Sequence, residues 1–237
     1  MVVRRRLTQS TLKTSHVGFV QVVVALKIGV VTLRCASRKD AAEQPDFGTY
    51  HRCTSGGSSK ARDKVKVLFM EAFRDLPFSR EEKLKILDVG CGLGFISCVC
   101  AEFYPKAIVT AIDTFKHASL KGSSLEKARN NAKILGFSDR INFEQRDIFD
   151  SDYGKGNFEL FVSNLVFHNF GKQRFDAYGR LAQWAAPKSY VILGDLFFDY
   201  KSDLRWLSVH FANVKERPTS TINWQYKMLV MSERKKT

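Results

Sequence analysis

The strongest constraint on the fold is a sustained alternation between two hydrophobic periods. From residue 61 onward, short β-rich runs take turns with stretches whose apolar residues recur at helical spacing. Val65, Leu68, Phe69, Ala72 and Phe73 share one helical face, which Leu76-Pro77 ends. Residues 85–89 form a first strand that stops at glycines. The spacing then predicts a helix over 95–104 closed by Pro105, a strand over 107–112, and a helix over 125–135 with Gly136 behind it. Strands follow at 141–145 and 158–163, a helix at 175–186 halted by Pro187, a strand at 190–197 and a helix at 203–210. Two last strands, 212–216 and 224–231, have no helix between them. Helical crossovers join parallel strands and lie on the faces of the sheet, so an α/β fold with a doubly wound, mostly parallel seven-stranded sheet is expected. The closing strand pair, with Pro218 in its turn, predicts an antiparallel hairpin at one edge.

In such sheets ligands sit beyond the carboxyl ends of the strands, where the strand order reverses. That singles out Asp88–Gly94, Asp113, Asp147, Asn164 and Asp195. The Asp88-Val-Gly-Cys-Gly-Leu-Gly94 segment links a strand to a helix, and glycines there let a ligand approach the backbone. The nicotinamide fingerprint would need its third glycine at position 95, where Phe95 stands. A carboxylate at position 88 would also repel a dianionic pyrophosphate. It suits S-adenosylmethionine, which carries a sulfonium and an ammonium. Asp113 lies 19 residues past Gly94, at a strand end where a carboxylate accepts ribose hydroxyls. Asp147, after the third strand, is placed to accept from an adenine amino group. Each of the two is also an ordinary turn residue.

At these residues the sequence resembles the class I S-adenosylmethionine-dependent methyltransferases. The resemblance covers roughly residues 61–237 and is carried by ILDVGCGLG (86–94), AID (111–113), QRDIF (145–149) and FELFVSNLVFHNF (158–170). It implies the strand order 3-2-1-4-5-7-6 with the seventh strand antiparallel, and S-adenosylmethionine as cofactor. It implies Asp88, Gly90, Gly92 and Gly94 for the methionine part and Asp113 for ribose, with Cys91 and Thr114 as further cofactor-binding residues. Asp147 and Ile148 would serve adenine, and Asn164 would stand where methionine and substrate meet.

The acceptor is less constrained. Family members that methylate planar amines carry N-P-P-Y or D-P-P-Y where this chain has Asn164-Leu165-Val166-Phe167, so amine methylation is less expected. No proline precedes a cysteine, which argues against a cysteine nucleophile of the cytosine-methylating kind. Cys98 and Cys100 point to different sides of a helix, and no metal site is expected. His168, just past strand four and able to titrate near neutrality, is the candidate general base, with a capping or core-edge role as the alternative. Asp195, His51 and Tyr50 are weaker candidates, and the run 196–200 would either wall an apolar pocket or join the core. A small-molecule or protein acceptor is the main reading. An RNA methyltransferase is the alternative, and a non-catalytic S-adenosylmethionine-binding subunit is the third. The oligomeric state stays open.

Charge bears on the RNA reading. The net charge is +14, but residues 1–39 hold eight basic residues and no acid, leaving +6 for the other 198. Nucleic acid is therefore an open but unfavoured partner. Apolar residues at 44% suffice for a buried core and exclude a disordered or collagen-like chain. Five cysteines, an odd number, read as reduced thiols in a cytoplasmic protein. The expected organisation is a basic extension over 1–44, a linker or lid over 45–60, and a single domain over 61–237. The apolar run 17–33 falls short of the roughly 20 residues a bilayer needs, and Lys27 at its centre would cost about 2.5–3.5 kcal/mol, so no stable membrane insertion is expected. Its acid-free, Arg- and Ser-containing surroundings leave organelle targeting open.

Overall fold

The structure, a computed structural model, describes residues 43–50, 53–117, 120, 122–219 and 225–235. Nearly all of the expected extension, with its apolar run, lies outside the described residues, as does His51. Among the described residues no helix is long and apolar enough to cross a membrane.

The elements follow the expected alternation: α1 (Ser55–Arg74), β1 (Lys85–Val89), α2 (Phe95–Phe103), β2 (Ile108–Asp113), α3 (Leu125–Ile134), β3 (Ile141–Gln145) and β4 (Leu160–Asn164). After a 3-10 segment (Phe167–Gln173) come α4 (Arg174–Trp184), β5 (Tyr190–Leu196), α5 (Tyr200–His210), β6 (Phe211–Arg217) and β7 (Tyr226–Arg234). The seven strands form one sheet in the order β3-β2-β1-β4-β5-β7-β6. Pairings are parallel from β3 through β5, and β7 runs antiparallel to both β5 and β6.

Period-2 alternation explains how so apolar a sheet is buried on both sides. Ile86, Val109, Leu160, Val162 and Ile192 pack with α1 and α2 on one face. Their chain neighbours Leu87, Phe161, Val191 and Leu193 pack with α4 and α5 on the other. The reversal of strand order between β1 and β4 opens a crevice at the carboxyl ends of these two strands.

Three local outcomes differ from the sequence reading. Helix α1 starts at Ser55, inside the stretch read as linker, because the Thr54 hydroxyl accepts from Gly57 N at 3.0 Å and caps it. Glycines in a first turn escape notice in a search for apolar periodicity. Helix α5 starts at Tyr200 rather than 203, with the Asp199 carboxylate accepting from Ser202 N. A 3-10 segment precedes α4, and Gly171 within it has φ 55°, which breaks the helical run.

Candidate active site

A cavity of about 480 Å³ lies over the carboxyl ends of β1, β2 and β4, inside the range of roughly 300–1,000 Å³ typical of small-molecule sites. Asp88, Gly90, Cys91, Gly92, Asp113, Thr114, Asp147, Ile148, Asn164 and His168 all line it. Of the residues singled out for cofactor, Gly94 is not among the described walls. Gly94 is the N-cap of α2 at φ 81°, and a Cβ on it would lie 2.7 Å from the Phe143 ring. It shapes the backbone rather than touching the cavity. At Gly90, φ is 73° and a Cβ would lie 2.3 Å from Val166, so the loop can pass under the cavity only without a side chain there.

The carboxylates are held differently. Asp88 is buried and accepts from Ser97 Oγ at 2.6 Å. Burial pushes its pKa up to about 7; the Ser97 hydrogen bond opposes this and the nearby Asp113 adds to it. Asp113 accepts from Gly92 N at 2.9 Å and from Phe115 N at 2.6 Å, which ties the glycine loop to the end of β2. Asp147 accepts from Phe149 N at 3.0 Å, so it closes a turn as well as lining the cavity. Ile148 is buried at the base of the same turn. Desolvation raises the Cys91 thiol well above its usual range, which keeps it an inert wall. Among the described residues no cluster has the makings of a metal site.

His168 sits on the 3-10 segment with its side chain 17% exposed. Its Nδ1 lies 2.5 Å from Asp195 Oδ1. Asp195 is buried on β5 and also accepts from the backbone N–H of Phe167 at 2.7 Å, His168 at 3.3 Å and Leu196 at 2.7 Å. A carboxylate that receives this many donors is an acceptor, so Nδ1 donates to it and Nε2 is left as the basic nitrogen. Sequence reasoning ranked Asp195 as a weak base candidate; it is instead the partner behind His168. Its position at the end of a strand adjoining β4 was the available signal.

Of the two alternatives for the run 196–200, an apolar pocket wall or the core, each describes one residue of it. Leu196 lines the cavity, but Phe197 is buried in the core, Phe198 is 65% exposed outside, and the Tyr200 hydroxyl bonds Glu216. The aromatic lining comes from Phe95, from Phe149 and Phe170, packed edge to face at 5.2 Å, and from Phe47 and Tyr50. The last two belong to the segment read as linker or lid. That segment is latched by Asn131, which accepts from Asp46 N and donates to Asp46 O, both at 2.9 Å, and donates to Leu93 O at 3.0 Å. Arg62 adds a hydrogen bond to Gly48 O at 2.9 Å.

S-adenosylmethionine fits this site on the chemistry of its walls. Carboxylates at 88, 113 and 147 face a cavity whose floor is side-chain-free glycine backbone, a setting for cations and hydroxyls rather than for phosphates. Residues 80–227, more than half of the chain, match the family described as Methyltransferase domain. The chain belongs to the class I S-adenosylmethionine-dependent methyltransferases.

Sequence relatives of this methyltransferase chain differ in what they modify. It is 30% identical over 89 residues to the tRNA1(Val) (adenine(37)-N6)-methyltransferase of Vibrio campbellii, covering 38% of this chain and 34% of the relative. It is 31% identical over 136 residues to the ribosomal RNA small subunit methyltransferase C of Buchnera aphidicola, covering 56% and 36%. To the malonyl-[acyl-carrier protein] O-methyltransferase of Halalkalibacterium halodurans it is 24% identical over 165 residues, covering 67% and 56%. The chain thus spans about a third to a little over half the length of these relatives. Among solved structures, mitomycin 7-O-methyltransferase superposes with a TM-score of 0.56 at 14% identity, covering 76% of this chain and 55% of that one. Human N-acetylserotonin methyltransferase in complex with SAM gives 0.51 at 14% identity, covering 72% and 51%. At such identities these structures show the fold.

Proposed function

We propose that this methyltransferase transfers the sulfonium methyl of S-adenosylmethionine to a hydroxyl oxygen of a small-molecule acceptor, with His168 as general base. The observation that carries the reading is the His168–Asp195 pair on the cavity wall. When bound, S-adenosylmethionine supplies a methyl group already activated for displacement by its positive sulfur. The chain has to orient the acceptor, exclude water and take one proton. Nε2 of His168 receives the hydroxyl proton, and Asp195 holds the ring in the required tautomer and balances the imidazolium charge. Asp88, Gly90, Cys91 and Gly92 would hold the methionine part, Asp113 and Thr114 the ribose, and Asp147 with Ile148 the adenine. Gly94 contributes by setting the loop conformation. The cavity and the latched strap suit a compact acceptor, and support an organisation in which 44–50 covers a domain that begins with α1.

A second reading, methylation of an RNA amine, draws on the tRNA and ribosomal RNA relatives. Against it stands position 167, where the Phe167 ring is buried and stacked on Tyr178 at 5.0 Å, with no face offered to a base. Tritiated-methyl transfer from S-adenosylmethionine, tested against fractionated small molecules, total RNA and protein, separates the readings. Label in the small-molecule fraction is expected, and label in RNA would favour the second. His168→Ala should lower turnover by about 10²–10⁴-fold with S-adenosylmethionine affinity unchanged. Full activity in that variant would remove the base.

A further inference from the structure

The end of β4 meets the acceptor, and its hydrogen-bonding capacity is already divided. Asn164 lines the cavity at the last position of β4. Its Oδ1 accepts from the hydroxyl of Tyr226 at 2.8 Å. Tyr226 is buried at the start of β7, two strands away, and reaches Asn164 by crossing Gly194 of β5. The crossing depends on that glycine, because a Cβ on Gly194 would lie 2.1 Å from the Tyr226 hydroxyl and 3.0 Å from Asn164 Oδ1. Burial raises the Tyr226 phenol well above its usual range, so it remains a proton donor. With Oδ1 held by Tyr226, Nδ2 is the amide atom left for another partner on a residue that lines the cavity.

The carbonyls of the next two residues also have partners. Leu165 adopts φ 58°, a region that non-glycine residues rarely enter, and its carbonyl accepts from Asn169 Nδ2 at 3.2 Å. The Val166 carbonyl accepts from Asn169 N at 3.0 Å. At the point where methyl donor and acceptor meet, the Asn164 side chain therefore offers a donor, Nδ2, and the carbonyls of Leu165 and Val166 each already accept one hydrogen bond.

We infer that Tyr226 is a positioning residue that selects oxygen over nitrogen as the methylated atom, by fixing the Asn164 amide with its NH2 group toward the acceptor. This rests on the hydroxyl-acceptor reading above and gives it a second, separate basis. A hydroxyl oxygen has two lone pairs and one proton. One lone pair accepts from Asn164 Nδ2. The other forms the new C–O bond while the C–S bond breaks onto sulfur, leaving a neutral thioether, and the proton passes to His168 Nε2. A neutral amine has one lone pair, which must point at the methyl carbon. It then has no lone pair left to accept from Asn164 Nδ2, which is left without a partner. Unpaired polar groups of this kind discriminate strongly between isosteric substrates.

The test uses the full chain in two measurements. In the first, the side-chain NH2 signals are recorded with 15N-asparagine labelling, and Asn164 is assigned by its loss in Asn164→Asp. Tyr226→Phe should shift or broaden the Asn164 signal while backbone signals of the sheet stay in place; an unmoved Asn164 signal overturns the inference whether or not an acceptor is known. In the second, matched phenol and aniline probes sharing one ring skeleton are methylated with S-adenosylmethionine. The wild-type chain should favour the phenol, Tyr226→Phe should cut the phenol-to-aniline ratio of kcat/KM by about tenfold, in keeping with one lost hydrogen bond, and S-adenosylmethionine affinity should not change. Asn164→Asp, which puts an acceptor where the donor was, should shift preference toward the aniline. A wild-type chain that favours the aniline, or a ratio that Tyr226→Phe leaves unchanged, overturns the inference. The base reading fails separately, if His168→Ala keeps full turnover while Tyr226→Phe still moves the ratio.

Discussion

Asp88 shows how one residue's surroundings set its chemistry. Its carboxyl is buried, and desolvation raises its pKa from 3.8 to about 7 against the pull of the Ser97 hydroxyl. The folded chain thus favours the protonated form more than the unfolded chain does. That contribution to stability is complete below the unfolded value and is lost as pH rises through about 7. The ligand-free protein should therefore lose unfolding free energy across this interval, and Asp88→Asn should flatten the dependence. Urea unfolding at a series of pH values checks this; a wild-type profile as flat as that of the variant would count against a strained carboxylate. A cation beside Asp88 favours the ionised form. Binding of S-adenosylmethionine should tighten as pH rises over the same interval and expel a proton, which calorimetry in buffers of different ionisation enthalpy would detect.

At the scale of elements, the strap before α1 and the 3-10 segment after β4 both contribute walls to the cavity. The strap is short and would not hold itself in place. Asn131 of α3 takes both the N–H and the carbonyl of Asp46 and also the Leu93 carbonyl, so one side chain ties the strap to the glycine loop. Asn131→Ala should release it. The expected outcome is faster amide exchange over 46–50 and S-adenosylmethionine affinity weakened by about 1–3 kcal/mol, the scale for buried polar groups left without partners, with the sheet's exchange protection unchanged. Unchanged exchange over 46–50 would mean that Arg62 and the Phe47–Phe95 contact at 5.3 Å hold the strap unaided. The 3-10 segment has a different anchor: Asp195 collects the N–H groups of Phe167 and His168 together with the His168 ring, so the segment's conformation and the position of its histidine depend on one buried carboxylate.

For the whole molecule, Gln44–Thr237 forms a compact unit by itself, and the family match over 80–227 lies within it. Deleting residues 1–39 should leave the unfolding midpoint and S-adenosylmethionine affinity as they are in the full chain. Thermal unfolding and calorimetry of the two chains check this, and a truncated chain that fails to fold would make the segment part of the domain.

Much of this was legible from the order of residues. Strand–helix alternation identified the sheet because helical crossovers impose parallel pairing, and residues at strand ends had to face the ligand because such sheets open there. That reasoning reached residues that line the cavity, Asp88, Gly90, Cys91, Gly92, Asp113, Asp147, Asn164 and His168, all of which are near in sequence to a strand end. It failed where the deciding contact joins distant segments. Whether His168 caps a helix or stands ready as a base depends on Asp195, 27 residues away. Whether Asn164 offers a donor or an acceptor depends on Tyr226, 62 residues away and across a glycine of the intervening strand. Local spacing fixes which side of an element a residue occupies. Only the packed sheet decides which side chain from another element arrives there, and hence which atom of the amide or imidazole is left for the ligand.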